Sequence, residues 1–387
     1  MPKTLFTNIG SLVVPATEVG VLETLPNAAF VVEDGRVAWV GSMDSASSCD
    51  EVVDVDGRCV IPGFVDSHAH LMFAGSREQE FAARMTGVSY SAGGIKTTVA
   101  ATRGASDDEL RSNAQRLVQE LYQSGVTYFE IKSGYGLDVE TEVRSLKIAR
   151  EFTEDTTFLG AHVVPQDQDP ENYVELVATE MLAGVKPYAK WIDVFCDKGA
   201  FNLSQTRKVL EAGISAGLLP RLHANQIEDL GAIALAVELD CASVDHCTHL
   251  SDADIQLLAT SNTVATLLPG AEFSTRSPYP DAKRLFAAGV KVALATDCNP
   301  GSSYTTSMPF CIAVAVREMG FSVDQAVWSA TLGGALALRD ESRGSLRVGR
   351  RADFAILDAP NHLFLAYRPG VQLIASTYVA GAKVYGR

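Results

Sequence analysis

The chain has 387 residues, of which 47% are hydrophobic and 20% are charged. This composition provides for a large core and excludes wholesale disorder, and the length suits one large α/β barrel with an appendage, or two domains. The net charge of −15 excludes nucleic acid and an anionic membrane surface as partners, because both require a basic face.

The first part of the chain, up to about residue 58, is predicted to form short β-strands. Residues 27–41 contain two β-rich runs joined across Asp34-Gly35, a dipeptide favoured in tight hairpin turns. Because no helix separates these runs, we expect a small antiparallel sheet. The N-terminus lacks the apolar segment and cleavage site of a signal peptide, and no run reaches the roughly 18 apolar residues of a membrane span. We therefore expect a cytoplasmic protein.

From about residue 60, apolar strands alternate with amphipathic helical stretches, the pattern of repeated βαβ units. The strand candidates are residues 60–65, 127–131, 157–163, 191–195, 219–222, 242–245, 263–268 and 290–295. The helical stretches are residues 107–124, 140–152, 170–182, 204–216, 229–238, 252–260 and 281–288. Eight such strands favour a TIM-like (β/α)8 barrel, whose active sites lie at the C-terminal ends of the strands. The alternative is a doubly wound open sheet, but no Gly-rich phosphate loop follows the first strand.

After two further helical stretches, at residues 308–318 and 322–338, the chain returns to short β runs. Both ends of the chain are therefore β-rich. We predict a barrel formed by residues 60–343 and a small composite domain formed by residues 1–59 and 344–387. The seven cysteines are scattered without a Cys-x-x-Cys pair, which favours free thiols in the cytosol and gives no indication of a cysteine zinc site.

Histidines gather at the predicted strand ends. His68 and His70 follow the first strand, and residues two apart in a strand point to the same face. An isolated His-x-His pair is a weak signal, since histidine has many uses. Three more of the seven histidines also follow predicted strands, namely His162, His223 and His246, and Asp297 follows the eighth strand. Such a cluster indicates a metal or catalytic site.

Three imidazoles and one carboxylate, with a position left for water, are the ligands of a hydrolytic site with a single metal ion. The metal acts there as a Lewis acid and lowers the pKa of water toward about 7. Zn²⁺ and Fe²⁺ both suit nitrogen and oxygen ligands. Lys132 is the nearest candidate for bridging a second metal, but we expect a structural or substrate-facing role for it.

This order of residues resembles the amidohydrolase superfamily: His68-Ala69-His70 after Pro62-Gly63, followed by His162, His223, His246 and Asp297. Residues 344–353 match the strand by which that superfamily returns to its small β-sandwich. Within the superfamily, the chain resembles the imidazolonepropionase family, which opens a ring in histidine degradation, at residues 70–77, 132–136, 160–162 and 297–303. The resemblance extends from about residue 30 to the C-terminus.

The resemblance implies a complete site. It assigns one divalent ion, Zn²⁺ or Fe²⁺, to His68, His70, His223 and Asp297. It assigns the propionate of the substrate to Arg77 and Tyr135, and a guanidinium can hold a carboxylate with two hydrogen bonds. Further residues that it places around the substrate are Tyr90, His162, Asn299, Gly301 and Ser302. The implied reaction is hydrolysis of the cyclic C–N bond of 4-imidazolone-5-propanoate to N-formimidoyl-L-glutamate, in a homodimer.

The sequence offers more than one residue for proton transfer during hydrolysis. His246 is suited to polarising the carbonyl group, and Asp297 to taking the proton of water. Many members of the superfamily carry glutamate where this chain has Gln226, and an amide cannot relay a proton at neutral pH. This difference weakens the alternative function, a deaminase or other cyclic amidohydrolase acting on a small nitrogen heterocycle. A barrel that binds a metal or a carboxylate without catalysis is a third hypothesis.

Three of these residues also have a simple structural interpretation. Arg77 could belong to a surface ion pair, and Tyr135 could cap a turn between two glycines. Asn299 could form an Asx-turn before Pro300.

Overall fold

The computed structural model describes residues 3–87 and 94–387. Its strands are β1 (Thr4–Pro15), β2 (Leu22–Glu33), β3 (Arg36–Ser42), β4 (Glu51–Asp54), β5 (Cys59–Pro62), β6 (Phe64–Asp66), β7 (Val126–Phe129), β8 (Ile131–Lys132), β9 (Thr156–Ala161), β10 (Trp191–Cys196), β11 (Leu219–Pro220), β12 (Leu222–Ala224), β13 (Ser243–His246), β14 (Val264–Leu267), β15 (Val292–Leu294), β16 (Phe354–Leu357), β17 (Ile374–Val379) and β18 (Ala382–Gly386).

The α-helices in the described ranges are α1 (Glu78–Met85), α2 (Ile95–Gly104), α3 (Asp107–Gln123), α4 (Val139–Ala149), α5 (Pro170–Leu176), α6 (Leu182–Val185), α7 (Leu203–Ser215), α8 (Ala232–Glu238), α9 (Asp252–Ala259), α10 (Pro269–Thr275), α11 (Ala282–Ala287), α12 (Met308–Glu318), α13 (Val323–Trp328), α14 (Gly334–Ala337) and α15 (Phe364–Tyr367). A 3₁₀-helix spans Met43–Ser45, and π-helical segments span Val177–Met181 and Ser329–Gly333.

Strands β6 to β15 form a TIM-like barrel, as predicted. Parallel pairing runs from β8 through β9, β10, β12, β13 and β14 to β15, and β6 pairs with β7. A parallel bridge between Ala69 and Cys298 joins the extensions of β6 and β15. Asp297 N donates to His68 O at 3.0 Å, and His70 N donates to Cys298 O at 3.0 Å. The first and last barrel strands therefore meet directly beneath the predicted site.

Strands from both ends of the chain form one sheet, in the order β18-β17-β16-β5-β1-β2-β3, with β4 also paired to β1. The expectation of an antiparallel sheet is wrong for two of its pairs, because β1 pairs in parallel with β4 and with β5. The hairpin prediction is confirmed: β2 and β3 are antiparallel, and Asp34 and Gly35 have φ of 49° and 73°. Positive φ at both central residues is what a type I′ hairpin turn requires.

The first predicted strand, residues 60–65, is divided between these two sheets. Strand β5 ends at Pro62 in the terminal sheet, and β6 begins at Phe64 in the barrel. A Cβ added at Gly63 would lie 2.1 Å from Thr127 Oγ1 of the neighbouring strand. Glycine therefore permits a backbone approach that any side chain would block, and the terminal sheet reaches three residues beyond the predicted boundary at residue 59.

The predicted helices that flank the barrel are found within a few residues of their expected ends. Helix α3 begins with a capping box, in which Ser106 and Glu109 bond each other's backbone N–H groups. Helices α1, α2, α10 and α15 were not predicted from the sequence. Of the helices in residues 3–87 and 94–387, none combines the length and apolar character that crossing a bilayer requires. All seven cysteines are free, and six of them are buried.

Candidate functional site

A cavity opens at the C-terminal ends of the barrel strands and brings together most of the residues predicted for the site. Its wall includes His70, Arg77, Tyr135, His162, His223, Gln226, His246, Asp297, Asn299 and Ser302. His68 lies just beneath the cavity and is fully buried. Gly301 lines a neighbouring pocket, which shares Arg77 and Ser302 with the cavity. Tyr90 lies outside the described residues.

Four side chains with metal-binding atoms converge at the bottom of the cavity. We call His68, His70, His223 and Asp297 the donor group. His68 Nε2 lies 3.2 Å from His70 Nε2, and Asp297 Oδ1 lies 3.4 Å from each of these two atoms. The ring centroids of His68 and His223 are 4.5 Å apart. Ligand bonds of about 2.0–2.1 Å in a tetrahedral site place ligand atoms roughly 3.3 Å from one another, so this geometry fits a small divalent ion.

His246 stands beside the donor group. One nitrogen of His246 lies within 4.8 Å of nitrogens of His68 and His223, so His246 is close to the position that a metal would take. The backbone of His246 and Cys247 is left-handed, with φ of 78° and 57°. Non-glycine residues adopt this conformation at a cost of about 1 to 3 kcal/mol each, and such residues cluster at functional sites.

Carboxylates behind the donor group orient two of its imidazoles. His68 Nδ1 donates to Asp245 Oδ2 at 2.8 Å, and His223 Nδ1 lies 3.0 Å from Asp193 Oδ2. Each contact holds the Nδ1 atom, which leaves Nε2 for a metal. Neither aspartate was predicted from the sequence as part of the site. Their signal was a charged residue inside an otherwise apolar strand.

The charge states of the buried side chains around the cavity suit a cation. Burial lowers the pKa of His68, His70 and His246 well below the usual range, so these imidazoles are neutral at neutral pH, which is the form that binds metals. Burial lowers the pKa of His162 to about 3. Burial raises the pKa of Asp297, and a bound cation would oppose that effect.

A second part of the cavity is built from loops. We call Arg77, Tyr135, Asn299 and Ser302 the loop wall. Arg77 is buried, and its Nε and Nη2 donate to the two carboxylate oxygens of Glu80 at 3.0 and 2.7 Å. Arg77 thus forms an ion pair, as was considered from the sequence, but this pair lies in the cavity wall and not on the open surface.

The absence of a side chain at Gly301 leaves space for the Arg77 guanidinium. A Cβ added at Gly301 would lie 2.1 Å from Arg77 Nη1. The contribution of Gly301 to the site is therefore the absence of a side chain, which lets Arg77 pack against the loop that follows β15.

Asn299 forms the Asx-turn that was considered for it and also lines the cavity. Its Oδ1 accepts hydrogen bonds from Gly301 N and Ser302 N, both at 2.8 Å, and its Nδ2 donates to Asp297 O at 2.7 Å. Ser302 Oγ in turn donates to Asp297 Oδ2 at 3.2 Å. The loop wall is thus tied directly to the donor group.

Comparisons with known proteins place the chain in a family. A model described as "Amidohydrolase family" matches residues 202–384. The chain is 59% identical to an imidazolonepropionase of Mycolicibacterium smegmatis, over 100% of this chain and 98% of that protein. It is 60% identical to an imidazolonepropionase of Salinispora tropica, over 97% of each chain. The chain belongs to the imidazolonepropionase family. An adenosine deaminase from Xanthomonas campestris with bound zinc shares its fold, with a TM-score of 0.72, 17% identity and coverage of 99% of this chain and 93% of that chain.

In this member of the imidazolonepropionase family, Gln226 lies in the cavity wall on a loop held by a buried aspartate. Asp197 accepts hydrogen bonds from the backbone N–H groups of Gln226, Ile227 and Glu228 at 2.7, 2.9 and 3.0 Å. Asp197, which directly follows the apolar strand β10, was not predicted from the sequence as part of the site. Three bonds to one carboxylate fix the backbone from which the Gln226 side chain reaches the cavity.

A buried acid that the sequence analysis also missed lies beyond β14, on α10. Glu272 accepts a hydrogen bond from Thr248 Oγ1 at 2.8 Å, two residues after His246. Burial raises the pKa of Glu272 to about 8. Glu272 is therefore mainly protonated at neutral pH.

Proposed function

We propose that this member of the imidazolonepropionase family hydrolyses the cyclic C–N bond of 4-imidazolone-5-propanoate to give N-formimidoyl-L-glutamate, a step of histidine degradation. One observation carries the proposal: the donor group and Arg77 lie in the wall or floor of a single cavity. A metal-binding group suits attack on an amide carbonyl, and an arginine suits the propionate. The full-length relatives that are named imidazolonepropionase support it.

The donor group, His68, His70, His223 and Asp297, would hold one divalent ion, Zn²⁺ or Fe²⁺. Such an ion supplies Lewis acidity, which polarises the ring carbonyl and lowers the pKa of water toward about 7. Both ions suit a set of imidazole and carboxylate ligands. The contacts behind His68 and His223 support this assignment, because oriented imidazoles are typical of metal ligands.

Asp297 transfers the proton, and His246 stabilises the negative charge that develops on the carbonyl oxygen. Asp297 takes a proton from the attacking water, whose oxygen forms the new bond to the ring carbonyl carbon. The C–N bond then breaks, and Asp297 returns the proton to the leaving ring nitrogen. His246, which is neutral, donates a hydrogen bond to the carbonyl oxygen as negative charge develops there. Gln226 forms hydrogen bonds with the ring and does not relay a proton.

The loop wall orients the substrate. Arg77 and Tyr135 hold the propionate, and His162, Asn299 and Ser302 line the ring and side chain. Glu80 keeps the Arg77 guanidinium in place through two hydrogen bonds, so the substrate carboxylate meets an arginine that is already ordered. Gly301 leaves space for this arrangement. Tyr90 is a further candidate for substrate contact.

We also propose that residues 1–59 and 344–387 form a β-sandwich domain beside a barrel domain of residues 60–343. The terminal strands have an apolar cluster of their own, in which the Phe354 and Tyr378 rings stack at 4.5 Å. The enzyme is proposed to act in the cytoplasm, where free thiols persist, and as a homodimer. Light scattering of the purified protein tests the dimer, and a monomer would contradict it.

The direct test is turnover by the metal-loaded protein. We expect it to consume the ultraviolet chromophore of 4-imidazolone-5-propanoate and to release N-formimidoyl-L-glutamate, identified by mass spectrometry. A parallel incubation with adenosine, guanine and cytosine tests for ammonia release. Ammonia release without loss of the imidazolone would instead support a deaminase.

A further inference from the structure

Lys132 lies at the end of β8, beneath the donor group, and is completely buried. Its Nζ lies 2.8 Å from Asp193 Oδ2, 3.0 Å from Glu130 Oε1 and 3.8 Å from Asp245 Oδ2. One ammonium group thus lies among three buried carboxylates. A buried lysine remains charged only with such compensation.

The same carboxylate oxygens that face Lys132 also face the donor group. Asp193 Oδ2 lies 3.0 Å from His223 Nδ1, and Asp245 Oδ2 accepts a hydrogen bond from His68 Nδ1 at 2.8 Å. Lys132 is therefore linked to two imidazoles of the donor group, each through a single shared oxygen. A shift of the ammonium would move both oxygens, and with them both rings.

The position of Lys132 also explains why Asp193, His223 and Asp245 need not bind a metal ion. One atom from each of these residues lies within 4.8 Å of the others, so they resemble a second set of metal ligands. The Lys132 ammonium contacts both aspartates and supplies the positive charge that this set requires. The donor group is then left as the site for a single ion.

The charge balance shows what removal of Lys132 would do. Within residues 3–87 and 94–387, Arg221 is the second buried cation beside these carboxylates, and its Nη2 lies 3.5 Å from Asp245 Oδ2. Without Lys132, the carboxylates of Glu130, Asp193 and Asp245 face one another with Arg221 alone. Uncompensated buried charges are strongly unfavourable, so the aspartates would turn away from His68 and His223.

We infer that Lys132 is a positioning residue that sets the metal affinity of the site, by holding the two aspartates that orient His68 and His223. This inference rests on the metal site of the proposed function, but not on the identity of the substrate. Loss of a residue that orients metal ligands typically weakens metal binding about 10- to 100-fold.

The test measures the dissociation constant of Zn²⁺, by competition with a chromogenic chelator, for the full chain and three variants. Lys132→Met removes the ammonium. Lys132→Met combined with Glu130→Gln removes one positive and one negative charge, so it should fold even if the single variant does not. Lys190→Met is the matched control, because Lys190 pairs with Asp155 at 2.6 Å away from the donor group.

We expect the dissociation constant to rise about 10- to 100-fold in Lys132→Met and in the double variant, and to be unchanged in Lys190→Met. Circular dichroism of the metal-free proteins verifies that they are folded. The visible spectrum of bound Co²⁺ should also change in the two Lys132 variants, because the ligand geometry changes. A folded double variant with the Zn²⁺ affinity and Co²⁺ spectrum of the unmodified chain would overturn the inference. Failure of the unmodified chain to bind Zn²⁺ or Co²⁺ would instead contradict the proposed metal site.

Discussion

The donor group and the loop wall face the same cavity, but different forces hold their side chains. His68, His223 and Asp297 stand at or just beyond strand ends, and carboxylates on neighbouring strands orient two of the imidazoles. Arg77 and Asn299 stand on loops, and their side chains form hydrogen bonds with residues close by in sequence, as in the pairing of Arg77 with Glu80. The pairing of barrel strands therefore brings the donor group together, whereas hydrogen bonds to nearby residues help to order Arg77 and Asn299 in the loop wall. Changes at the two places should have separable effects on metal binding and on substrate binding.

The largest effect is expected for His68→Ala. This change removes a member of the donor group, so the protein should lose its metal. Turnover should then fall by at least about a thousand-fold, because the pKa of water rises to its much higher value in bulk solution. Elemental analysis and the chromophore assay measure the two losses. His362→Ala is the control, since His362 pairs with Asp324 instead of facing the cavity. Full activity in His68→Ala would remove His68 from the metal site.

Arg77→Ala should separate the loop wall from the donor group. Loss of charged hydrogen bonds to the propionate should raise KM about 10- to 100-fold, while the metal content stays unchanged. Arg111→Ala is a suitable control, because Arg111 makes a similar pair with Glu151 on the surface. An unchanged KM in Arg77→Ala would mean that the Arg77–Glu80 pair is only structural.

Gly301→Ala should produce a smaller change of the same kind. The added methyl group would displace the Arg77 guanidinium, which lies 2.1 Å from the position of that Cβ, so we expect KM to rise about 3- to 10-fold with normal metal content. Gly104→Ala is the matched control, since a Cβ there meets no atom of the described chain within 4 Å. Equal kinetics for the two variants would show that Arg77 need not occupy its present position.

The smallest effect is expected at Glu272, which belongs to neither group. Its pKa is 4.5 in the unfolded chain and about 8 in the fold, so between these values the folded protein holds a proton that the unfolded chain has lost. The free energy of unfolding therefore falls as pH rises from 4.5 to 8. Glutamine does not titrate, so the Tm of Glu272→Gln should not fall with pH for this reason. The Tm of Glu272→Gln minus the Tm of the unmodified chain should therefore be a few degrees larger at pH 8 than at pH 5.

Thermal unfolding at both pH values measures this difference. The control is Glu180→Gln, at an exposed glutamate. A Tm difference between Glu272→Gln and the unmodified chain that does not depend on pH would show that Glu272 is ionised in the fold.

The sequence predicted the barrel because the barrel follows from a local pattern, in which apolar strands alternate with helices. The same pattern placed His68, His223 and Asp297 at or shortly after strand ends, but their selection as metal ligands came from the family resemblance. Their convergence then follows from barrel geometry, since the C-terminal ends of the strands meet at one face.

What the sequence did not predict depends on contacts between distant segments. Lys132 was noticed, but its contact with Asp193 joins residues on β8 and β10, and only closure of the barrel brings them together. The parallel pairing of β1 with β5 is likewise non-local. The division of the first strand at Gly63 depends on the approach of Thr127 from a neighbouring strand.

The Glu80 partner of Arg77 was missed for a different reason. Helix α1, Glu78–Met85, is short and half of its residues are polar, so its apolar periodicity is too weak to identify it as a helix.

The proposed site for a single metal ion can be observed in an anomalous-difference map of zinc-loaded crystals, recorded at the zinc absorption edge. We expect one strong peak, within bonding distance of His68 Nε2, His70 Nε2, His223 and Asp297 Oδ1, and no peak between Asp193 and Asp245, where Lys132 supplies the positive charge. A peak between those two aspartates, or the absence of a peak at the donor group, would contradict the proposed site.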